Sequence, residues 1–350
     1  MRLLIVTQVV DTNDSNLGFF HRWIEEFAKH CESIIVICLK EGQHRLPRNV
    51  SVYSLGKPSF AKASEGEGRR FLLRIRYALR FRKLIREHSG EYDAVFVHMN
   101  PEYVLLGGFF WRTRSKTIAL WYVHKSVTWT LRIALRMADV VFTASPESFR
   151  LTSPKVRIVG HGIDTSRFLP RSGAFANELR IITVGRVAES KHIKEMLGVL
   201  DELTRRHVPF TFTIVGEPIT AADHMYAKEL RETVVSKPYA GSVHFVGAVP
   251  YADIPTLLSK ADVMLHMSTT GSIDKAVLDA LAAGTRVVST SEAFKAAIPG
   301  VMPVANDPTV IATAVQKGNA NPETLQTYVR EHYALEKLVA SIVDNLSKQA

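Results

Sequence analysis

Cysteine is scarce: Cys31 and Cys38 are the two among 350 residues. That is too few for a disulfide framework. Both read as free thiols of a reducing compartment, with Cys38 closing the apolar run Ile34–Ile37 as a small buried hydrophobe. Long apolar runs are missing too. A membrane-spanning helix needs about 20 consecutive apolar residues, and no stretch approaches that. The opening Met1–Val6 resembles the start of a secretory signal, but its apolar character stops at Asp11 with no small-residue cleavage pattern, so a buried first strand is expected. No G-x-G-x-x-G follows that strand and no G-x-x-x-x-G-K-[ST] occurs, which argues against a dehydrogenase and a P-loop NTPase. There is no H-E-x-x-H and no cysteine pair at metal-ligand spacing, so neither a metal nor a cofactor is expected. No solenoid repeat is present.

What remains is ordinary for a globular chain: 46% hydrophobic and 22% charged residues. At roughly 100–200 residues per domain, the length suggests two domains. Short runs rich in Val, Ile and Phe alternate with helical patterns. Strands are expected at Leu3–Val9, Ser33–Leu39, Val50–Leu55, Asp93–His98, Thr117–Tyr122, Val140–Ala144 and Val156–Val159. The pattern restarts with Leu179–Val184, Phe210–Val215, Val243–Val246, Val263–His266 and Arg286–Ser289. Continuous apolar strands separated by helices imply parallel sheets covered on both faces. The expected fold is therefore α/β, with two doubly wound Rossmann-like domains. The boundaries fall at 1–168 for the first domain, 169–177 for a linker around Pro170 and Gly173, and 178–334 for the second. A helix over 335–350, apolar at Leu335, Leu338, Val339, Ile342 and Leu346, is expected to pack on a domain, with the first as one option. Gly56–Gly68 is small and polar and reads as a mobile loop.

The formal net charge is +10, which points to anionic partners. Arg69, Arg70, Arg74, Arg76, Arg80, Arg82, Lys83 and Arg86 crowd one helix, interleaved with Leu72, Leu73, Ile75, Leu79 and Ile85. Such a helix either lies on an anionic membrane or covers core with its arginine stems. A nucleic-acid partner is not expected, because it would explain the charge and nothing else.

In open parallel sheets, ligands bind outside the carboxyl ends of the strands. That edge offers the Asp11–Asn16 turn with Gly18, then His98–Asn100, His124-Lys125, and Gly185-Arg186 with Lys191. It also offers Thr269-Thr270-Gly271-Ser272-Ile273-Asp274-Lys275, opening a helix over Ala276–Ala283. Backbone N–H groups and the helix dipole favour phosphate there, and arginine and lysine neutralise a diphosphate. Asp279, one turn into that helix, has a carboxylate suited to ribose hydroxyls. The plainer alternatives make Asp274 an N-cap and Asp279 a solvated residue.

At these residues the chain resembles the retaining glycosyltransferases of family 4, which have the two-domain GT-B fold with both domains facing a central cleft. Val184–Lys191 is similar to the family's V-G-R-x-x-x-x-K turn. Gly160–Phe168 resembles its N-G-V-D-x-x-x-F segment. Val243–Gly247 and Ala261–Val263 match its V-x-F-x-G and A-D-V elements. Leu278–Val288 aligns with L-E-A-M-A-C-G-T-P-V-V. The resemblance implies a nucleotide-diphosphate sugar donor. Gly185, Arg186, Lys191, Gly271, Ser272 and Ile273 would lie on its diphosphate, Val246 and Gly247 by its base, and Asp279 on its ribose. Gly18 matches the glycine-bearing loop after the first strand, and His124 the histidine near the reacting centre. The first glutamate of the family's E-x7-E falls on Gly271, so that carboxylate is missing. Asp274 is a nearby candidate, in a T-G-S-x-D-K loop that reads as a subgroup feature.

The implied activity is metal-independent hexosyl transfer to a hydroxyl acceptor, a lipid-linked one included, in surface polysaccharide or glycolipid synthesis. The expected place is the cytoplasm, with peripheral membrane contact as an option. The missing glutamate leaves two alternatives, a GT-B sugar-nucleotide epimerase and an inactive nucleotide-sugar-binding subunit.

Overall fold

The computed structural model describes residues 1–57, 67–168, 178–269, 273–294, 298–317 and 320–349. Most of the expected loop Gly56–Gly68 and the whole expected linker 169–177 lie outside them. The first part of the chain runs β1 (Arg2–Val10), α1 (Phe20–His30), β2 (Ser33–Glu41), β3 (Val50–Ser54), α2 (Glu67–Glu87), β4 (Ala94–His98), α3 (Pro101–Thr113), β5 (Thr117–Trp121), α4 (Trp129–Met137), β6 (Val140–Thr143) and β7 (Val156–Ile158). The rest runs β8 (Leu179–Val184), α5 (Ile193–Arg205), β9 (Phe210–Val215), α6 (Ala221–Val235), β10 (Val243–Gly247), α7 (Ile254–Ser259), β11 (Val263–His266), α8 (Lys275–Ala282), β12 (Arg286–Ser289), β13 (Val301–Pro303), α9 (Pro308–Gln316), α10 (Pro322–His332) and α11 (Leu335–Ser347).

Two compact units result, Met1–Gly162 with Leu335–Ala350, and Ile163–Ala334. The first holds a seven-stranded sheet of order β3-β2-β1-β4-β5-β6-β7 and the second a six-stranded sheet of order β10-β9-β8-β11-β12-β13. The pairings within both are parallel. Each order reverses beside its first strand, between β1 and β4 and between β8 and β11, and such a switch point opens a crevice at the carboxyl ends.

Burial explains the strands. Leu3, Leu4, Ile5 and Val6 have no exposed surface, nor do Val95, Phe96 and Val97, as a sheet covered on both faces requires. α11 buries Leu335, Leu338, Val339, Ile342 and Leu346 in the core that also holds Trp23, Ile24 and Phe27 of α1. Both units carry the same ion pair at the start of their sheets. Arg2 Nη2 meets Asp93 Oδ1 at 2.6 Å, and Arg180 Nη2 meets Asp262 Oδ1 at 2.9 Å. The strand that patterning missed is β13. Three residues ending in proline carry little signal, and proline is tolerated there because the strand is an edge.

His98 is a core residue. It is 2% exposed, its Nδ1 lies 3.2 Å from Thr7 Oγ1, and its ring stacks on Phe20 at 4.0 Å. Burial lowers its pKa from 6.5 to about 3. The unfolded chain therefore binds a proton near pH 6.5 that the folded chain refuses, so this contribution is complete above pH 6.5 and is lost as pH falls toward 3. His98→Phe is expected to lower the melting temperature at pH 7.5 yet flatten its decline toward pH 4. Parallel melting curves for the two proteins across that range would contradict this.

Candidate functional site

The carboxyl edge of the second sheet gathers most of the expected residues. Val184-Gly185, Val215-Gly216 and Val246-Gly247 end the adjacent strands β8, β9 and β10. Their glycines have φ of +145°, +136° and +81°. Gly185 N–H donates to Val215 O at 2.9 Å, and Gly216 N–H to Gly247 O at 2.8 Å. A Cβ on Gly216 would lie 1.9 Å from Gly185 O, so glycine alone permits this approach. Val246 stays 42% exposed beside it.

Behind the Gly185 turn lies a small pocket lined by Thr183, Arg186, Lys191, His266 and Ser268 among others. Lys191 Nζ donates to Asp274 Oδ2 at 2.5 Å and to Ser268 Oγ at 3.3 Å. His266 is 4% exposed. Its Nε2 lies 2.9 Å from the same Asp274 oxygen, and its Nδ1 2.9 Å from Ser289 Oγ. Asp274 occupies the N-cap position of α8 but makes no side-chain cap bond. The N-cap alternative thus fails, because the carboxylate is spent on Lys191 and His266. Burial raises that carboxyl, but the His266 hydrogen bond and the Lys191 charge outweigh it, so its pKa is strongly lowered and it stays ionised. Arg186 is more open, with Nε 3.8 Å from Asp223 Oδ2. Asp223 closes the capping box of α6 with Thr220.

Asp279 is not a solvated residue. It is 3% exposed, accepts from Tyr251 Oη at 2.9 Å, and pairs with Lys275 Nζ at 2.9 and 3.0 Å. Lys275 also bonds the Tyr251 hydroxyl and sits 3.8 Å above that ring. Burial raises Asp279, lowers Lys275, and raises Tyr251 well above its ordinary range. A ribose on Asp279 would have to share the carboxylate with these partners.

Ile273 precedes Asp274, while Gly271 and Ser272 lie outside the described residues. Gly18 and His124 belong to the first unit. Gly18 donates to Asp14 O at 2.9 Å, and a Cβ there would lie 2.5 Å from that oxygen. The turn admits glycine by its packing. His124 is exposed beyond β5, and its Nδ1 accepts from Ser126 N–H at 3.0 Å, which leaves the ring proton on Nε2. Sequence reasoning missed Gly216, His266 and Tyr251, and named Lys275 in the loop without giving it a role of its own. The repeated Val-Gly strand ends were a signal for Gly216, and the position of His266 as the last residue of β11 for the histidine.

Residues 178–319 match the family described as Glycosyl transferases group 1. Among curated proteins, the chain is 24% identical over 196 residues to one component of the phosphatidylinositol N-acetylglucosaminyltransferase of Arabidopsis thaliana, covering 53% of this chain and 42% of that protein. It is 25% identical over 221 residues to a glycogen synthase of Mycobacterium tuberculosis, covering 59% and 51%. The matches thus span about half the length of these relatives or less. In structure it is similar to Anabaena HepE, solved in complex with UDP-glucose, with a TM-score of 0.75 and 16% identity over 99% of this chain and 100% of that one. The match to the group 1 glycosyl transferases covers most of the second unit, and the fold of the chain is GT-B.

Proposed function

We propose that the chain is a retaining, metal-independent glycosyltransferase that takes a hexosyl group from a nucleotide-diphosphate sugar and delivers it to a hydroxyl acceptor. One observation carries this reading. Lys191 sits against the Gly185 turn at the topological switch point, held by a carboxylate that can release it. When a diphosphate enters, it competes with Asp274 for that ammonium, and His266 keeps the freed carboxylate paired. The base would rest near Val246 and Gly247, and Arg186 would close on the phosphates. Charge grows on the leaving diphosphate as the glycosidic bond breaks. Fixed cations placed where that charge develops lower the barrier. The acceptor would be held by the first unit, where His124 offers its Nε2 proton to a bound sugar.

Two features of α2 support action at a membrane face in surface polysaccharide or glycolipid synthesis. α2 carries Arg74, Arg76, Arg80, Arg82, Lys83 and Arg86, exposes Phe71, Leu72 and Leu79 beside them, and has the charge that anionic lipid attracts. Among the described residues, no helix is long and apolar enough to cross a membrane, so contact would be peripheral.

The test is incubation with UDP-, GDP- and ADP-sugars and a panel of hydroxyl acceptors, reading nucleoside diphosphate release and the product's anomeric configuration. Acceptor-dependent release with retained configuration is expected. Acceptor-independent epimerisation, or tight binding without turnover, would replace this reading with the epimerase or the binding subunit.

A further inference from the structure

His266 is buried at the end of β11, and both of its ring nitrogens are engaged. Nε2 lies 2.9 Å from Asp274 Oδ2 and Nδ1 lies 2.9 Å from Ser289 Oγ. The two partners differ in kind. An ionised carboxylate only accepts, so Nε2 carries a proton. A hydroxyl both donates and accepts. Ser289 Oγ accepts from Ser291 N–H at 3.1 Å, which leaves its own proton for Nδ1. When Nδ1 is protonated instead, the second lone pair of the same oxygen receives it. The ring is thus hydrogen-bonded at both nitrogens whether neutral or charged. It can change state without leaving a buried donor unmade.

Among the described residues, Asp274 faces this ring from the start of α8, and Lys191 and Arg186 line its pocket from the turn after β8. α5 contributes the uncharged Ile193 and Met196. β12 contributes the hydroxyl of Ser289, and the Phe294 ring stands edge-on at 5.6 Å. With Lys191 on Asp274 at 2.5 Å, the charges of that pair cancel. A diphosphate that draws the ammonium away leaves an unbalanced carboxylate behind it. Like charges so close repel, and a proton on a neighbouring group removes the excess. An ordinary carboxylic acid titrates at about 3.9 and an ordinary imidazole at about 6.5. His266 is therefore the better place for that proton.

We propose that His266 is a positioning residue that takes up a proton when a diphosphate draws Lys191 off Asp274, so that donor binding and proton uptake are coupled. The imidazolium then holds Asp274 back from the phosphates and leaves Lys191 to them. This rests on the glycosyl-transfer reading for the identity of the diphosphate; the proton linkage stands on Lys191, Asp274, His266 and Ser289.

The test is calorimetric titration of the full chain with UDP-glucose, GDP-mannose and ADP-glucose at pH 7.5, each in HEPES and in Tris, whose protonation enthalpies differ. A nucleotide sugar has no proton of its own to exchange near neutrality, so uptake belongs to the protein. Uptake of about 0.5–1 proton per donor is expected, with affinity rising up to about tenfold per unit fall in pH. His266→Gln keeps a donor for Asp274 but cannot be protonated, and should lose both effects. Asp274→Asn removes the charge to be balanced and should lose them too. Binding without uptake in the parent chain, or the same uptake in both variants, overturns the proposal and leaves the transferase reading intact. A donor-free measurement decides it independently. Lys191→Met imitates the departed ammonium. Its His266 ring is read by the carbon-13 signal of Cε1, assigned by the loss of that signal when His266→Gln is added. That ring should be more protonated at pH 7 than in the parent chain, and an unchanged ring overturns the proposal. If no nucleotide sugar binds yet the ring changes as expected, the transferase reading falls and the proton linkage remains.

Discussion

Replacing Lys191 by glutamine is expected to cut sugar transfer by about 10²–10³-fold, the usual cost of removing one preorganised group that meets developing negative charge. The loss should fall on kcat at least as strongly as on KM, because the leaving diphosphate is more negative in the transition state than in the bound donor. Folding should survive. Glutamine keeps a donor toward Ser268 and Asp274, which lie 3.3 and 2.5 Å from the Lys191 ammonium, and His266 still holds the carboxylate at 2.9 Å. Steady-state kinetics beside a thermal melt separates the two effects. A variant that transfers sugar at the normal rate removes Lys191 from the mechanism.

The second large effect is structural. Gly216→Ala is expected to destabilise the second unit by at least ~3 kcal/mol, or to prevent its folding. The added Cβ would meet Gly185 O at 1.9 Å, at a φ of +136° that an alanine rarely adopts. Strain at such a position costs on the order of 1–3 kcal/mol by itself. The clash adds to it because the neighbour is backbone, tied by the Gly185 N–H bond to Val215 O. Gly241→Ala is the matched control. Nothing lies within 4 Å of its Cβ position and its φ is not positive, so a change within about 0.5 kcal/mol is expected. Urea titration measures both. Equal midpoints would mean that the turn yields and that its close approach does not set the pocket.

The architecture was readable because buried parallel strands announce themselves as unbroken apolar runs. Twelve were found by that rule, and β13 escaped because three residues cannot form a run. The location of the site was readable for a similar reason. Gly185, Arg186 and Lys191 follow a strand, and a ligand edge is defined by where strands end. Partners were not readable. Nothing in the sequence says that the carboxylate at the start of α8 turns back to His266 and Lys191 instead of capping its helix, since both uses place an aspartate at position 274. Asp279 and Lys275 are four apart, a spacing equally suited to an exposed helical pair. Their burial under Tyr251 depends on residues 24 and 28 positions away, which local pattern does not encode.

The central claim is that the pocket behind Gly185 holds the diphosphate of a nucleotide-sugar donor. Thermal melts of the full chain with UDP, GDP and ADP, beside Arg186→Ala and Lys191→Ala, test it most directly. Ligand that binds only the folded state adds about 2.7 kcal/mol at 100 times its Kd. One nucleoside diphosphate is predicted to raise the melting temperature, with the shift reduced in Arg186→Ala and lost in Lys191→Ala. No shift with any of the three at millimolar concentration, or an undiminished shift in both variants, would contradict the account.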